Sequence, residues 1–249
     1  MNNHYTALLT GTIDSSVYNN VDNVITDVNE RLKQYKNTIR KYINNSVFNK
    51  IIFAENSGYE FNAEEFEKLA LECDKQFEYL KCPAYINETI EYGKSFGESR
   101  LITDAIKLSS ILKNSDIVYK LTGRIYLKNS KQIVKTCHNH RNEFLVIENE
   151  RWCYTNIFKV TVADYIKILE DDYKDIKKKG LDIEHTYYLR LKKANIDVGS
   201  FRTWPVFEGY MGGNNRPYSG SWKGDVYKTL LCKLRCYKMG SKLSKLAHF

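Results

Sequence analysis

Short apolar runs alternate with amphipathic stretches along the first part of the chain. Residues 5–10 and 50–54 are each predicted as a buried strand, because each is a continuous apolar run that stops at turn residues. Between them, residues 27–43 place their apolar side chains at steps of three and four, which predicts an amphipathic helix. Strand, helix and strand in this order predict a βαβ unit with parallel strands.

The same alternation continues to about residue 191. Further helices are predicted at residues 64–73, 99–112, 162–173 and 184–191, and further strands at residues 116–121, 143–147 and 156–160. No repeat or linker interrupts this pattern. We therefore expect one α/β domain over residues 1–221, with a mostly parallel central sheet flanked by helices.

Residues 222–249 differ from this body in charge. They hold six Lys and one Arg against one Asp, which is most of the formal net charge of +8, so the body is near neutral. A helical projection places an apolar face on one side, formed by Tyr227, Leu230, Leu231, Leu234 and Tyr237. This pattern predicts a basic amphipathic helix that lies on an anionic membrane or packs on the body with its charges solvated.

Composition narrows the class of protein. The chain is 43% hydrophobic with 13 Gly and 3 Pro, which excludes collagen-like and wholly disordered chains. No apolar run approaches the roughly 20 residues that span a bilayer, and no signal peptide is visible at the N-terminus. Six irregularly spaced Cys favour free thiols in a reducing compartment. We therefore expect a cytoplasmic protein.

Polar and glycine-containing turns follow three of the predicted strands. They are residues 10–14, 55–58 and 122–124. Ligands of open parallel sheets bind beyond the carboxyl ends of the strands. One such turn alone often does no more than close its strand, but three in succession favour a binding site.

Several common fingerprints are missing from the sequence. It has no Gly-x-x-x-x-Gly-Lys-Ser/Thr, no Gly-x-Gly-x-x-Gly after the first strand and no strict Asp-x-Asp. These gaps argue against P-loop enzymes and Rossmann dehydrogenases. The Cys137-His138-Asn139-His140 segment has no second pair at the spacing of a structural zinc site. Gly93-x-x-x-Gly97 before a helix is a weak candidate for phosphate binding.

The order of the motifs resembles a known group of enzymes. The motifs are Leu9-Thr10-Gly11-Thr12-Ile13-Asp14, Asp27-x-x-x-Arg31-x-x-x-Tyr35, Phe53-Ala54-Glu55-Asn56-Ser57, Gly93-Lys94-Ser95-Phe96-Gly97-Glu98, Tyr119-Lys120-Leu121-Thr122-Gly123-Arg124, Ile183-Glu184-His185-x-Tyr187-Tyr188 and Pro205-x-x-x-Gly209-Tyr210-x-Gly212-Gly213. This series, over about residues 5–218, resembles small bacterial glycosyltransferases of capsule, lipopolysaccharide and O-antigen gene clusters, with a divergent GT-A fold.

The resemblance implies a reaction and a set of donor contacts. It implies transfer of a sugar from a nucleotide-diphosphate donor, expected to be UDP-linked, to a lipid-linked saccharide, with inversion. The expected donor-binding residues are Thr10, Gly11, Thr12, Arg31, Tyr35, Glu55, Asn56, Lys94, Lys120, Thr122 and Gly123. Tyr35 is equally compatible with a core position on the first helix. The expected acceptor loop contains Trp204, Gly209, Gly212, Gly213 and Tyr218.

The leaving group is the point at which the sequence departs from the resemblance. GT-A enzymes usually neutralise the diphosphate with a metal held by Asp-x-Asp, whereas the comparable strand here ends in Thr122-Gly123-Arg124. The Arg124 guanidinium is a candidate substitute, with an ion pair to a nearby carboxylate as the equal alternative. We expect no required cofactor, while Mn²⁺ or Mg²⁺ stays open with Glu170, Asp172 and Asp182 as reserve ligands.

The resemblance also indicates the general base. In inverting enzymes of this type a carboxylate near the start of a late helix takes the acceptor proton, and Glu184 holds the similar place here. His185 is the second candidate because its ordinary pKa suits proton transfer. A solvated Glu-His pair at a helix start is the alternative without a catalytic role.

Two other classes of function are alternatives to sugar transfer. A nucleic-acid-binding protein would use the basic tail and the 19 Tyr, but the charge lies outside the Tyr-rich body, and a binding groove needs both together. We therefore expect no nucleic-acid partner. A catalytically inactive assembly protein remains open. For the enzyme, we expect peripheral attachment to the inner face of the cytoplasmic membrane.

Overall fold

The central sheet is mixed but mainly parallel. The computed structural model describes residues 5–19, 25–113, 116–137, 140–210, 217–218, 220–239, 242–247 and 249. Seven strands of these residues form the sheet, in the spatial order β3 (Gln76–Lys81), β2 (Lys50–Glu55), β1 (Thr6–Gly11), β4 (Ile117–Thr122), β7 (Trp152–Thr161), β6 (Asn142–Ile147) and β8 (Val198–Gly199). β1 to β4 are mutually parallel, and β7 runs antiparallel to both of its neighbours. The predicted α/β sheet is confirmed.

Helices cover both faces of this sheet. They are α1 (Val28–Asn45), α2 (Glu64–Glu72), α3 (Ile86–Tyr92), α4 (Lys94–Leu108), α5 (Ser130–Thr136), α6 (Val162–Ile168), α7 (Asp172–Lys179), α8 (Ile183–Lys193) and α9 (Trp222–Lys233), with a 3₁₀ helix at Ser15–Tyr18. One core lies between the sheet and α1 with α2, and the other lies between the sheet and α4 with α8. None of the described helices has the length and apolar character needed to cross a bilayer.

Two predicted helices have different boundaries. The single helix predicted over residues 162–173 is wrong, because α6 ends at Ile168 and α7 begins at Asp172. The side chain of Asp172 is fully buried, and the free backbone N–H of Tyr173 at the new helix start donates to its Oδ1 at 2.9 Å. The helix predicted over residues 99–112 begins five residues earlier, directly after Gly93, whose φ of 83° ends α3.

The C-terminal segment is a helix followed by a hairpin. The prediction of one helical face as far as Tyr237 is wrong, because α9 ends at Lys233 and β10 (Cys236–Met239) pairs with β11 (Lys242–Lys245). The hairpin forms because of tertiary contacts. Leu246 and Ala247 are buried in the two cores, and Ala247 N donates to Val146 O at 2.8 Å. Leu246 and Ala247 thereby fasten the end of this segment to β6.

Asp172 provides a test of the packing behind α4. Its carboxylate accepts from Ser99 Oγ, but Oδ2 has no hydrogen-bond partner among the described residues. Burial raises the pKa of Asp172 from 3.8 to about 7, although the Ser99 hydrogen bond works in the opposite direction. Between these pH values the folded protein keeps a proton that the unfolded chain has released. The free energy of unfolding therefore falls as pH rises, by at most about 1.4 kcal/mol per pH unit.

We expect Asp172→Asn to remove this pH dependence. Relative to the parent protein, the variant should gain stability between about pH 4 and about pH 8, measured as the free energy of unfolding in urea. Asp175→Asn on the same helix is the control of opposite sign. Burial opposes ionisation there too, but hydrogen bonds from Lys179 and Arg190 lower the pKa of Asp175 overall. An Asp172→Asn variant that loses stability relative to the parent protein as pH rises would contradict the assignment of this pH dependence to Asp172.

Candidate active site

Three parallel strands end side by side at one edge of the sheet. β2, β1 and β4 are neighbours, and their last residues are in register. Gly123 N donates to Thr10 O at 2.8 Å, and Asn56 N donates to Gly11 O at 3.3 Å. The turns predicted to form a site therefore meet at one edge, as expected for parallel strands.

Two glycines allow this close approach. A Cβ atom at Gly123 would lie 2.7 Å from Thr10 O, and one at Gly11 would lie 2.7 Å from the rings of Phe53 and Tyr35. Tyr35 is 3% exposed and its hydroxyl accepts from Thr12 N at 2.9 Å. Tyr35 thus lies under the strand ends, which agrees with the alternative that it is a core residue of the first helix. Its hydroxyl also holds the loop that follows β1.

Arg31 also supports this loop. It is 3% exposed and donates to Thr12 O at 2.9 Å, to Ile13 O at 3.1 Å and to Ile25 O at 3.0 Å. These backbone bonds hold the shape of the first strand end, and burial is the main cause that lowers the pKa of Arg31. The contribution of Arg31 to the site is therefore chiefly architectural.

Glu55 and Asn56 tie the second strand end to the first. Glu55 Oε1 accepts from Ile13 N at 2.9 Å and from both the backbone N–H and the hydroxyl of Ser57, while Oε2 is buried without a hydrogen-bond partner in the described part of the chain. Thr12 Oγ1 donates to Asn56 Oδ1 at 2.7 Å. The polar atoms predicted for donor recognition are thus brought together, and several already bond to one another.

Arg124 lies two residues after the end of β4. It is 8% exposed, and its Nη1 donates to Gln34 Oε1 at 3.2 Å. It forms no ion pair with any Asp or Glu that the structure describes, so none of these carboxylates holds Arg124 in the way that the alternative expected. The charge of Arg124 also acts on Arg31, whose pKa it helps to lower. This corner of the site therefore carries two buried cations.

A second cluster lies where β4, β7, α4 and α8 meet. Thr155 Oγ1 donates to Glu184 Oε1 at 2.9 Å, and Lys120 Nζ donates to Thr155 O at 2.7 Å. Lys120 also forms an ion pair with Glu98 of α4. Burial raises the pKa of Glu184, and the Glu98 carboxylate raises it further. A carboxylate with a raised pKa is suited to take a proton near neutral pH.

His185 is directed away from this cluster. Its ring packs edge-on against Trp152 with centroids 5.0 Å apart, and Nδ1 lies 3.8 Å from Asp182 Oδ2. The side chain is 38% exposed. Of the two candidate bases, Glu184 lies in the polar cluster and His185 does not.

The two lysines predicted for donor binding have different surroundings. Lys120 is fully buried, and its ammonium is occupied by Glu98 and the Thr155 carbonyl. Lys94 is exposed at the first position of α4, one helical turn before Glu98 on the same face. Only Lys94 is therefore accessible to a ligand.

The predicted acceptor loop lies beside Arg124. Gly209 has a φ of 125°, and a Cβ there would lie 2.6 Å from Arg124 O. Gly209 ends β9 (Phe207–Gly209), which pairs with β5 (Ile125–Leu127). Trp204 and Tyr218 line a cavity of about 300 Å³. Gly212 and Gly213 lie outside the described residues.

The reserve metal ligands do not converge. Glu170 pairs with Lys107 at 2.8 Å, Asp172 is buried behind α4, and Asp182 is largely exposed before α8. No group of three His, Cys, Asp or Glu side chains with the arrangement of a metal site occurs in the described ranges.

Sequence reasoning missed three residues of these clusters. Glu98 is the last residue of the motif that begins at Gly93, but it was given no role. No neighbouring residue in the sequence indicates that it faces Lys120. Thr155 was missed because β7 begins at Trp152, four residues before the strand predicted over residues 156–160. Asn156 was placed in that predicted strand but received no role.

Comparisons with known proteins identify the fold. No protein-family model matches the chain, and no curated protein matches it. The chain is similar to the glycosyltransferase GlyE from Streptococcus pneumoniae TIGR4, with a TM-score of 0.50 and 10% identity over 80% of this chain. It spans only 45% of the length of GlyE.

Two further solved structures are more distant. An active-site mutant of LgtC gives a TM-score of 0.49 at 7% identity, covering 78% of this chain and 72% of LgtC. The 2-C-methyl-D-erythritol 4-phosphate cytidylyltransferase IspD from Francisella tularensis gives 0.44 at 12% identity, covering 80% and 90%. The likeness to GlyE shows that this chain has a GT-A-type fold, a mostly parallel sheet flanked by helices.

Proposed function

We propose that this protein transfers a sugar from a nucleotide-diphosphate donor to a saccharide acceptor, with inversion at the anomeric carbon. The observation that carries the proposal is the Glu184 carboxylate. It is largely buried, its pKa is raised, and it is oriented by Thr155 beside β4, the strand that leads through Gly123 to Arg124. A base and a cation next to the same strand end match the two needs of such a transfer.

The donor binds across the ends of β1, β2 and β4 in this proposal. A diphosphate leaving group needs positive charge, and Arg124 has only the neutral amide of Gln34 as its hydrogen-bond partner in the described chain. Lys94 adds an exposed ammonium at the start of α4. Thr12 and Asn56 supply the hydroxyl and amide that read the nucleoside. The choice of UDP rests on the resemblance of the motifs.

The transfer is a single displacement. Glu184 takes the proton of the acceptor hydroxyl while the hydroxyl oxygen attacks the anomeric carbon of the donor. The bond to the nucleotide diphosphate breaks, and its electron pair leaves with the diphosphate beside Arg124. Attack on the face opposite the leaving group inverts the anomeric configuration. No metal is required in this scheme, because Arg124 supplies a fixed cation.

An exposed surface of the C-terminal segment favours membrane attachment. Trp222, Val226 and Leu230 form a stripe at intervals of four on α9, and they are 72%, 60% and 52% exposed. Leu234 and Leu243 extend it, at 64% and 60% exposed. Six Lys and one Arg belong to the same segment. We propose that this surface binds the anionic inner face of the cytoplasmic membrane, where lipid-linked acceptors for bacterial surface polysaccharides are found.

We expect Glu184→Gln to lower turnover by about 10²- to 10⁴-fold without weakening nucleotide binding, because it removes the base and keeps the shape. In the parent protein, turnover should fall as pH drops through the raised pKa of Glu184. Burial is the main cause of that raised pKa, and Glu98→Gln removes the next largest, the charge of Glu98. The acidic limb of the pH-rate profile should therefore move to lower pH.

The matched control for this pair is Glu78→Gln, which alters a carboxylate of β3 bonded to Ser109 and Ser110. Its acidic limb should stay where the parent's is. Thermal unfolding of Glu98→Gln separates a loss of fold from a shift in proton affinity. Full turnover in Glu184→Gln together with loss in His185→Ala would assign the base to the histidine.

We expect Arg124→Ala to weaken UDP binding at least tenfold in isothermal titration, because a charge-assisted hydrogen bond contributes about 1.5–3 kcal/mol. Arg124→Lys should recover only part, since an ammonium lacks the bidentate fork. Arg40→Ala is the control, an exposed arginine of α1 that pairs with Glu65. Activity that EDTA abolishes and Mn²⁺ restores would show that a metal does the work assigned to Arg124.

We expect Leu230→Asn to weaken binding to phosphatidylglycerol vesicles about tenfold, since burying a leucine side chain contributes about 1.5–3 kcal/mol. Leu71→Asn is the control, because Leu71 is 77% exposed on α2, away from the basic segment. Binding should also fall as salt rises. Equal loss in both variants, or binding to a DNA duplex in preference to the vesicles, would contradict the membrane assignment.

A further inference from the structure

The cavity lined by Trp204 and Tyr218 lies apart from the strand-end cluster. Its volume is about 300 Å³, and it lies between the start of β7, residues 204–207 and the inner side of α9. Its described lining residues are Leu145, Tyr154, Asn156, Trp204, Pro205, Val206, Phe207, Tyr218, Gly220, Asp225, Lys228 and Tyr237. Neither Arg124 nor Glu184 belongs to this lining. The proposed donor and base positions therefore do not account for the cavity.

Aromatic rings form most of its wall. Trp204 packs against Tyr237 with centroids 5.6 Å apart, and Phe207 packs against Tyr218 at 5.3 Å. The hydroxyls of Tyr154 and Tyr237 are 2.9 Å apart and bond to each other. Mutual packing and this bond hold the rings in fixed positions. They present flat, electron-rich faces to which the C–H groups of a ligand are attracted.

The wall also contains polar groups suited to hydroxyls. Asn156 Oδ1 is buried and accepts no hydrogen bond from the described residues, and its Nδ2 lies 3.5 Å from the Tyr218 hydroxyl. A buried, unpaired amide oxygen costs about 1–3 kcal/mol, and a rotation of the Asn156 side chain toward the cavity that it lines would let a ligand hydroxyl offset this cost. Asp225 and Lys228 place one negative and one positive group at the same cavity. The lining is thus mainly apolar, with a few polar groups and a net charge close to zero.

We propose that this cavity binds one hexopyranose ring of a neutral saccharide. A pyranose has C–H groups that pack on aromatic faces and hydroxyls that pair with an amide and a carboxylate. An alkyl chain would leave Asn156 and Asp225 unpaired, and an anion would face the Asp225 carboxylate. The volume lies at the lower end of small-molecule sites, which limits the occupant to about one ring.

The cavity is linked to the proposed base through β7. Tyr154 and Asn156 of this strand line the cavity, and Thr155 between them bonds to Glu184. Successive residues of a strand point to opposite sides, so the cavity lies on one face of β7 and Glu184 lies on the other. Assigning the bound ring to the acceptor rests on the proposed function. The binding of a saccharide to this cavity does not.

The test is saturation-transfer NMR on the full chain without nucleotide. The probes are methyl β-D-glucopyranoside, methyl β-D-galactopyranoside and methyl α-D-mannopyranoside, with hexanol as an apolar probe. We expect transfer to the ring protons of at least one glycoside. Asn156→Leu and Trp204→Leu should each weaken its affinity about tenfold, the size of one lost hydrogen bond or packing face. Trp222→Leu is the control, because Trp222 is 72% exposed and does not line the cavity.

The outcomes separate this proposal from the proposed function. Absence of transfer to all three glycosides, binding of hexanol alone, or unchanged affinity in Asn156→Leu would overturn the saccharide site. Should Trp204→Leu fail to fold, Asn156→Leu and Asp225→Asn carry the same comparison. A protein that binds UDP but no glycoside loses only this inference. One that binds a glycoside here but transfers no sugar from any nucleotide donor loses only the proposed function.

Discussion

The fully buried ammonium of Lys120 is the constraint on which the centre of the molecule depends. An unpaired cation in the interior costs several kcal/mol, so the surrounding elements must supply a carboxylate and further acceptors. Glu98 of α4 and the carbonyl of Thr155 in β7 do this. Because the Lys120 ammonium requires both of these acceptors, α4 and β7 both approach β4 at this residue. The Thr155 hydroxyl then orients Glu184, and Glu98 adds to the rise in its pKa that burial causes, so both neighbours of Lys120 also act on Glu184.

Close packing of the neighbouring strand ends imposes a second constraint. Gly11 and Gly123 have no room for a Cβ, because the Tyr35 ring and the Thr10 carbonyl occupy that space. Arg31 then fixes the loop above them through backbone carbonyls. Residues chosen from the sequence as ligand contacts therefore divide into two groups. Some of these residues support the strand ends from below. Arg124 differs from them, because it donates to the amide of Gln34 and no described carboxylate neutralises its charge.

The sequence predicted those parts of the fold whose signal is local. β1, β2 and β4 are buried on both faces and read as continuous apolar runs, so the parallel sheet and its meeting strand ends followed directly. β3 was missed because it is a half-exposed edge strand with charged residues such as Glu78. The hairpin after α9 was missed because burial of Leu246 and Ala247, a long-range effect, overrides the helical period. The Lys120–Glu98 pair joins residues 22 apart in the chain, and no spacing rule indicates it.

Helix α9 connects the two remaining features of the molecule. Its inner side contributes Asp225 and Lys228 to the aromatic cavity, and its outer side exposes the stripe of Trp222, Val226 and Leu230. A helix is about 10 Å across, so the cavity and the apolar stripe are separated by little more than one helix diameter. A lipid-linked saccharide has the same arrangement, with an apolar chain joined directly to a sugar. Under the proposed function, one helix would therefore hold both ends of the acceptor, and the basic residues would serve the site by keeping this helix at the membrane surface.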